Sequence, residues 1–176
     1  RNRYTFYASI AKKEGFEQIS EVFALTAQQE KEHASWLFKL INQLIEKSGE
    51  EMPEIKVEAV APTARGTTAE NLRAAAAGEN YEYTDMYPEF AKIAAEEGLN
   101  DISARIKSIA RAEQHHEERY LKLLKEVEAG TVFKKEQEVE WTCRECGYVH
   151  KGKEAPEKCP SCDHERAFYQ IKCEEY

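Results

Sequence analysis

Gln29-Glu30-Lys31-Glu32-His33 and Ala112-Glu113-Gln114-His115-His116 are the two stretches that decide how this chain folds. In each, a glutamate and a histidine stand three residues apart, so on a helix both project from one face. That face is otherwise apolar. Around the first pair it runs Ile19, Phe23, Thr26, Glu30, His33, Leu37, Ile41, Leu44; around the second, Ile102, Ile106, Ile109, Glu113, His116, Tyr120, Leu124, Val127. Steps of three and four predict helices over 16–48 and 100–129. An unpaired carboxylate is costly to bury, so acids on an apolar stripe call for a positive partner.

The two stretches are copies. A shift of 83 residues carries Glu30 onto Glu113 and His33 onto His116. It also carries Tyr4 onto Tyr87, Ala8 onto Ala91, Ile10 onto Ile93, Ala11 onto Ala94, Gly15 onto Gly98, Ile19 onto Ile102, Ser20 onto Ser103 and Ala27 onto Ala110. One unbroken register of this kind marks an internal repeat. A shorter helix over 1–13 precedes the first long one. A third, over about 68–97, carries the stripe Leu72, Ala75, Glu79, Glu82, Met86, Phe90, Ile93, with Pro88 expected to kink it or widen a turn. Gly15, Gly98 and Gly130 are helix stops. Tight turns at 14–16 and 97–100 make two antiparallel hairpins, and the polar stretch 49–66, with Pro53 and Pro62, spans between them. The predicted fold is mainly α, a four-helix bundle with a long crossover and a pseudo-two-fold axis; so long a crossover also permits exchange of hairpins between subunits.

Glu79 and Glu82 add two acids to the inward stripes. Four carboxylates and two imidazoles meeting in mid-bundle suit a pair of metal ions, and an oxygen-rich set favours iron or manganese over zinc or copper. A Glu-x-x-His motif from each of two helices, facing glutamates, is the pattern of ferritin-like di-iron bundles. A lone Glu-x-x-His is usually a solvated pair; two in register on core stripes reverse that expectation. His115 points about 100° away and is expected in solvent. Tyr4 and Tyr87 are candidates to hydrogen-bond the ligand carboxylates. The repeat places a counterpart of Glu79 four or five residues before Arg1.

Composition changes after Gly130. Residues 131–140 read as a short charged linker, and 141–176 as a second small domain holding all five cysteines. Cys143-Arg144-Glu145-Cys146 and Cys159-Pro160-Ser161-Cys162 are two C-x-x-C pairs, each a turn offering two thiolates, and together a tetrahedral metal site. Spacing alone leaves a structural zinc ribbon and an electron-transferring Fe(Cys)4 site both open. Cys173 stands outside the pairs as a bystander, and His150 and His164 are read as solvated.

The chain has 176 residues, 25 Lys+Arg against 33 Asp+Glu, and a net charge of −8. That balance argues against non-specific nucleic-acid binding, which needs a basic footprint. No apolar run approaches the ~18 residues of a membrane span, and no apolar leader supports export.

Taken together, Gly78-Glu79-x-x-Glu82 with Tyr87-Pro88, Gln29-Glu30-x-x-His33, Ala112-Glu113-x-x-His116, Cys143-x-x-Cys146-Gly147-Tyr148 and Ala155-Pro156-x-x-Cys159-Pro160-x-Cys162 resemble the rubrerythrin family over the whole chain. The resemblance implies a non-haem di-iron centre in a ferritin-like bundle (1–130), fused to a rubredoxin-like Fe(Cys)4 domain (141–176). It implies a cytoplasmic peroxidase that reduces hydrogen peroxide to water. Electrons would come from an NAD(P)H-dependent reductase or a rubredoxin, relayed through the Fe(Cys)4 centre, in a head-to-tail homodimer. By matching position, Glu30 and Glu113 bridge the irons, Glu79, Glu82 and His116 are terminal ligands, and His33 exchanges with Glu82 as the oxidation state changes. The family's first-helix ligand falls upstream of Arg1. The rival readings are a ferroxidase or iron-handling protein, and a zinc-ribbon interaction module on a structural bundle.

Overall fold

The repeat becomes visible in the backbone as two matching turns. In a computed structural model of the chain, residues 1–49, 51–52 and 54–174 are described; Pro53 of the crossover and the last two residues of the second domain lie outside them. Helix α1 (Asn2–Lys13) ends where the amide of Phe16 reaches the carbonyl of Ala11 at 2.9 Å, with Gly15 at φ +83°. Its counterpart is the amide of Leu99 on Ala94 at 2.8 Å, with Gly98 at φ +79°. Both are six-to-one helix closures around a left-handed glycine, a conformation that disfavours any residue with a Cβ. Each turn reverses the chain into a long helix, α2 (Glu17–Ser48) and α5 (Asn100–Ala129).

The third predicted helix is two helices. Helix α3 (Thr68–Tyr81) starts in a capping box, Thr67 with Glu70, and α4 (Tyr87–Glu96) follows a π-helical turn over Glu82–Met86. The amide of Tyr87 bonds the carbonyl of Glu82, five residues back. Pro88, at the start of α4, has no amide to offer, consistent with the widened turn expected there.

The π turn corrects the predicted stripe. It holds one residue more than an α turn, so every later side chain is rotated by about 100°. Phe90 and Ile93, expected inside, are 48% and 44% exposed; Tyr87, Ala91 and Ala94 are 5%, 0% and 6% exposed. Those three are the repeat partners of Tyr4, Ala8 and Ala11, all buried. One core cluster joins Tyr4, Tyr7, Phe23, Leu72 and Tyr120, and a second joins Tyr87, Ala91, Ile106 and Ile109. The carboxylates and histidines lie between them in sequence on both long helices.

The C-terminal part is a three-stranded antiparallel sheet in the order β2-β1-β3: β1 (Lys134–Cys143), β2 (Val149–Glu154) and β3 (Tyr169–Ile171). Residues 134–140, expected as linker, are the greater part of β1. Their charged side chains conceal the strand, because only toward its end do Trp141 and Cys143 enter a core. Only residues 130–133 separate helix from strand, and the ring of Phe133 stacks on Phe16 with centroids 6.2 Å apart and planes 6° from parallel. Among the described residues no helix is long and apolar enough to cross a membrane.

Candidate metal centres

Glu30 and His33 leave α2, Glu113 and His116 leave α5, and Glu79 leaves the last turn of α3. One ligand atom each from Glu30, Glu79, Glu113 and His116 lies within 4.8 Å of the others. Glu79 and Glu113 are wholly buried. The repeat appears here as crossed contacts: Nδ1 of His33 is 2.8 Å from Oε1 of Glu113, and Nδ1 of His116 is 3.6 Å from Oε1 of Glu30. The two imidazoles face each other with centroids 5.9 Å apart.

These contacts are close without being hydrogen-bonded. Oε1 of Glu30, Oε2 of Glu79, both oxygens of Glu113 and Nδ1 of both histidines are buried with no hydrogen-bond partner. Buried polar atoms are nearly always paired, because an orphan loses about 1–3 kcal/mol of solvation. Six orphans converging from three helices are accounted for by cations that all of them ligate, so the donor set fits a metal pair.

Electrostatics agree. Burial would raise the carboxyl of Glu30, but contact with His116 and His33 outweighs it and holds it down at about 2. Burial likewise opposes charge on the imidazoles, and the carboxylates win: Glu113 and Glu30 lift His33 to about 9. Glu113, Glu30 and Glu79 lift His116 to about 11. At Glu82, burial and then the carboxylates of Glu79, Glu30 and Glu113 outweigh the Arg3 guanidinium and push it up to about 8.

The six predicted bundle ligands therefore divide. Four converge, His33 stands against Glu113 at their edge, and Glu82, at the start of the π turn, lines a cavity of about 330 Å³ with Glu30, Tyr4 and Arg3. Tyr4 donates its hydroxyl proton to Oε1 of Glu79 at 2.5 Å. Tyr87 is buried near the same acids and has no side-chain hydrogen bond among the described residues. His115 is exposed, as expected. Sequence reading passed over Arg3, which donates to the Tyr4 hydroxyl at 3.0 Å, and Arg119, which donates to Thr26 at 2.7 Å inside the bundle. An arginine beside a stripe gives no periodic signal; only the unexplained helical Gly78 could have pointed to Arg3.

The four paired cysteines close a second site. Sγ of Cys143 and Cys162 are 3.8 Å apart, and those of Cys146 and Cys159 3.6 Å, with all four within 4.8 Å of one another. A tetrahedron with metal–sulfur bonds of ~2.3 Å has edges of ~3.8 Å, so the spacing suits a metal. A disulfide would bring sulfurs to about 2 Å. Each knuckle turns on a left-handed residue just after its second cysteine: Gly147 (φ +77°) bonds the carbonyl of Cys143, and Asp163 (φ +59°) that of Cys159. Burial disfavours the Cys159 thiolate, but the Tyr169 hydroxyl and the amides of Ser161 and Cys162 outweigh it and hold the thiol down at about 6. Cys173 is exposed and apart.

Residues 1–124 match the rubrerythrin family, and residues 141–170 match the rubrerythrin rubredoxin-like domain. The chain belongs to the rubrerythrin family. A protein of Methanocaldococcus jannaschii is 59% identical over all of this chain and 87% of its own length. The rubrerythrin of Porphyromonas gingivalis is 51% identical over 97% of this chain and 81% of its own. Among solved structures, fully reduced, all-ferrous nigerythrin superposes with a TM-score of 0.59 at 34% identity, covering 97% of this chain and 78% of that one. Glu30, Glu79, Glu113 and His116 thus make the carboxylate–histidine di-iron site of a rubrerythrin, and Cys143, Cys146, Cys159 and Cys162 its rubredoxin-type iron site.

Proposed function

We propose that this rubrerythrin is a peroxidase that reduces hydrogen peroxide to water in the cytoplasm. The observation that carries the reading is the pairing of an orphaned, oxygen-rich ligand set with a four-thiolate site on the same chain. When bound, a ferrous pair supplies the two electrons that cleave an O–O bond, and Fe(Cys)4 iron supplies replacements one at a time. An iron store needs no second centre of that kind.

The chain's own groups serve the same chemistry. With two ions bound, Glu30 from α2 and Glu113 from α5 would bridge them, and Glu79 and His116 would be terminal ligands. His33, against Glu113, and Glu82, in the adjoining cavity, would replace one another as ligands. That cavity of about 330 Å³, which Glu82 lines with Tyr4 and Glu30, has room for peroxide and a few waters. Tyr4 keeps Glu79 from turning.

Electrons would enter from an NAD(P)H-dependent reductase or a rubredoxin. Self-association fits the outer half of α2, where Phe38 is 68% exposed, and an apolar cavity of about 810 Å³ lined by Leu37, Val57, Val60, Met86 and Phe90. A homodimer with exchanged elements would cover both.

The test is to reduce the protein anaerobically and mix it with peroxide or with oxygen, following the red absorption of oxidised Fe(Cys)4. Peroxide should restore the colour at least tenfold faster than oxygen, and Glu113→Ala should abolish that response. Equal rates would favour a ferroxidase.

A further inference from the structure

Arg3 and Gly78 meet beside the di-iron site. Gly78 has ordinary helical backbone inside α3, where glycine weakens a helix relative to alanine. The space answers for it. A methyl group there would overlap Nη2 of Arg3, and the next nearest atoms, Cζ at 3.1 Å and Nη1 at 3.2 Å, belong to the same guanidinium. Arg3 therefore lies on bare backbone of α3. Adjacent residues on a helix do not normally face each other. Resting on Gly78, however, the guanidinium bends back so that Nη2 donates to the Tyr4 hydroxyl at 3.0 Å, with Cζ 5.0 Å from the ring centroid.

A phenol has one proton. With a donor already on its oxygen, Tyr4 is left to donate, and the acceptor is Oε1 of Glu79 at 2.5 Å. Oε2 of Glu79 makes no hydrogen bond and stands 3.8 Å from Nδ1 of His116. The two oxygens of one carboxylate thus have separate tasks. We propose that Arg3, admitted by Gly78, is a positioning residue: acting through Tyr4, it holds Oε1 of Glu79 as a hydrogen-bond acceptor and presents Oε2 to iron. The proposal rests on the reading of Glu79 as an iron ligand.

Partners that orient a ligand are worth about 10–100-fold in metal affinity. The experiment is an anaerobic ferrous titration of the full chain, with bundle iron and Fe(Cys)4 iron resolved by Mössbauer spectroscopy. Arg3→Met should weaken bundle iron about tenfold or more and leave Fe(Cys)4 iron unchanged. Gly78→Ala should do the same, since its methyl displaces only the end of a flexible side chain and the helix gains a better former. Added to Tyr4→Phe, Arg3→Met should cause no further loss, because the link it serves is already cut. Parent-like binding by Arg3→Met or by Gly78→Ala overturns the proposal, and so do losses that multiply in the double variant. A Glu79→Ala chain that retains both bundle irons overturns the ligand reading and the proposal with it. A Glu79→Ala chain that loses iron while Arg3→Met does not overturns the proposal alone.

Discussion

His33 and His116 carry protons that iron must displace. Their imidazoles are held at about 9 and about 11, so at neutral pH both are cations among carboxylates, and Glu82 at about 8 is still largely protonated. Ferrous binding should therefore release protons and tighten as pH rises from about 6 to about 9, measured by titration at fixed pH with a proton indicator. In the metal-free protein the sign is opposite. A histidine whose folded value exceeds its unfolded ~6.5 stabilises the fold fully below that pH and loses the contribution as pH rises through the folded value. Metal-free thermal stability should thus fall between about pH 7 and about 11, while the iron-loaded protein changes far less. At this scale much was legible. Glu30, Glu113 and His116 could be named because a repeated acid on an apolar stripe has few other uses. Arg3 could not, because its role depends on a contact with α3 that no spacing encodes.

The π turn shows how an element can hide inside a correct pattern. Two readings of 68–97 were available, a continuous stripe ending Met86, Phe90, Ile93, and the repeat, which matched Tyr87, Ala91 and Ala94 to buried residues of α1. They disagree by one residue, and the extra residue of the π turn is that difference. Such a turn is unfavourable in itself and persists where function uses it. Deleting Asp85, exposed within it, should let an α-helix run from Glu79 to Tyr87 with both still inward. We expect the metal-free melting temperature, read by thermal unfolding, to hold or rise, because an unfavourable turn is replaced by regular α-helix. The second domain repeats the lesson on a smaller scale, since both knuckles need a left-handed residue. Gly147→Val should destabilise that domain by more than about 1 kcal/mol, and Asp163→Gly should be close to neutral, read by retention of Fe(Cys)4 colour on heating.

Across the whole molecule, the division between bundle and cysteine domain was plain from composition, and how they are joined was not. The charged stretch 134–140 looks like a tether by content and is a strand by pairing: Val139 lies opposite Gly152 and Trp141 opposite His150. The domain is then held against the bundle at several points. Phe133 stacks on Phe16, Arg144 pairs with Glu21 on α2, and Ala167 lies close to the Gly15 turn. The ion pair is half in solvent and contributes at most ~1 kcal/mol, so the aromatic stack is the contact whose loss should be felt. Phe133→Ser should loosen the joint, seen as faster amide exchange across 131–140 with both iron sites retained.

A strand joined to a helix by only four residues has almost no slack. The cysteine domain is mounted on the bundle as a bracket, where a tethered carrier would diffuse until it met its target. Electron delivery from the thiolate iron should accordingly have no search step, and its rate after rapid mixing should be indifferent to solvent viscosity. Adding glycerol to the parent protein is expected to leave that rate unchanged, and adding it to the Phe133→Ser protein should slow it.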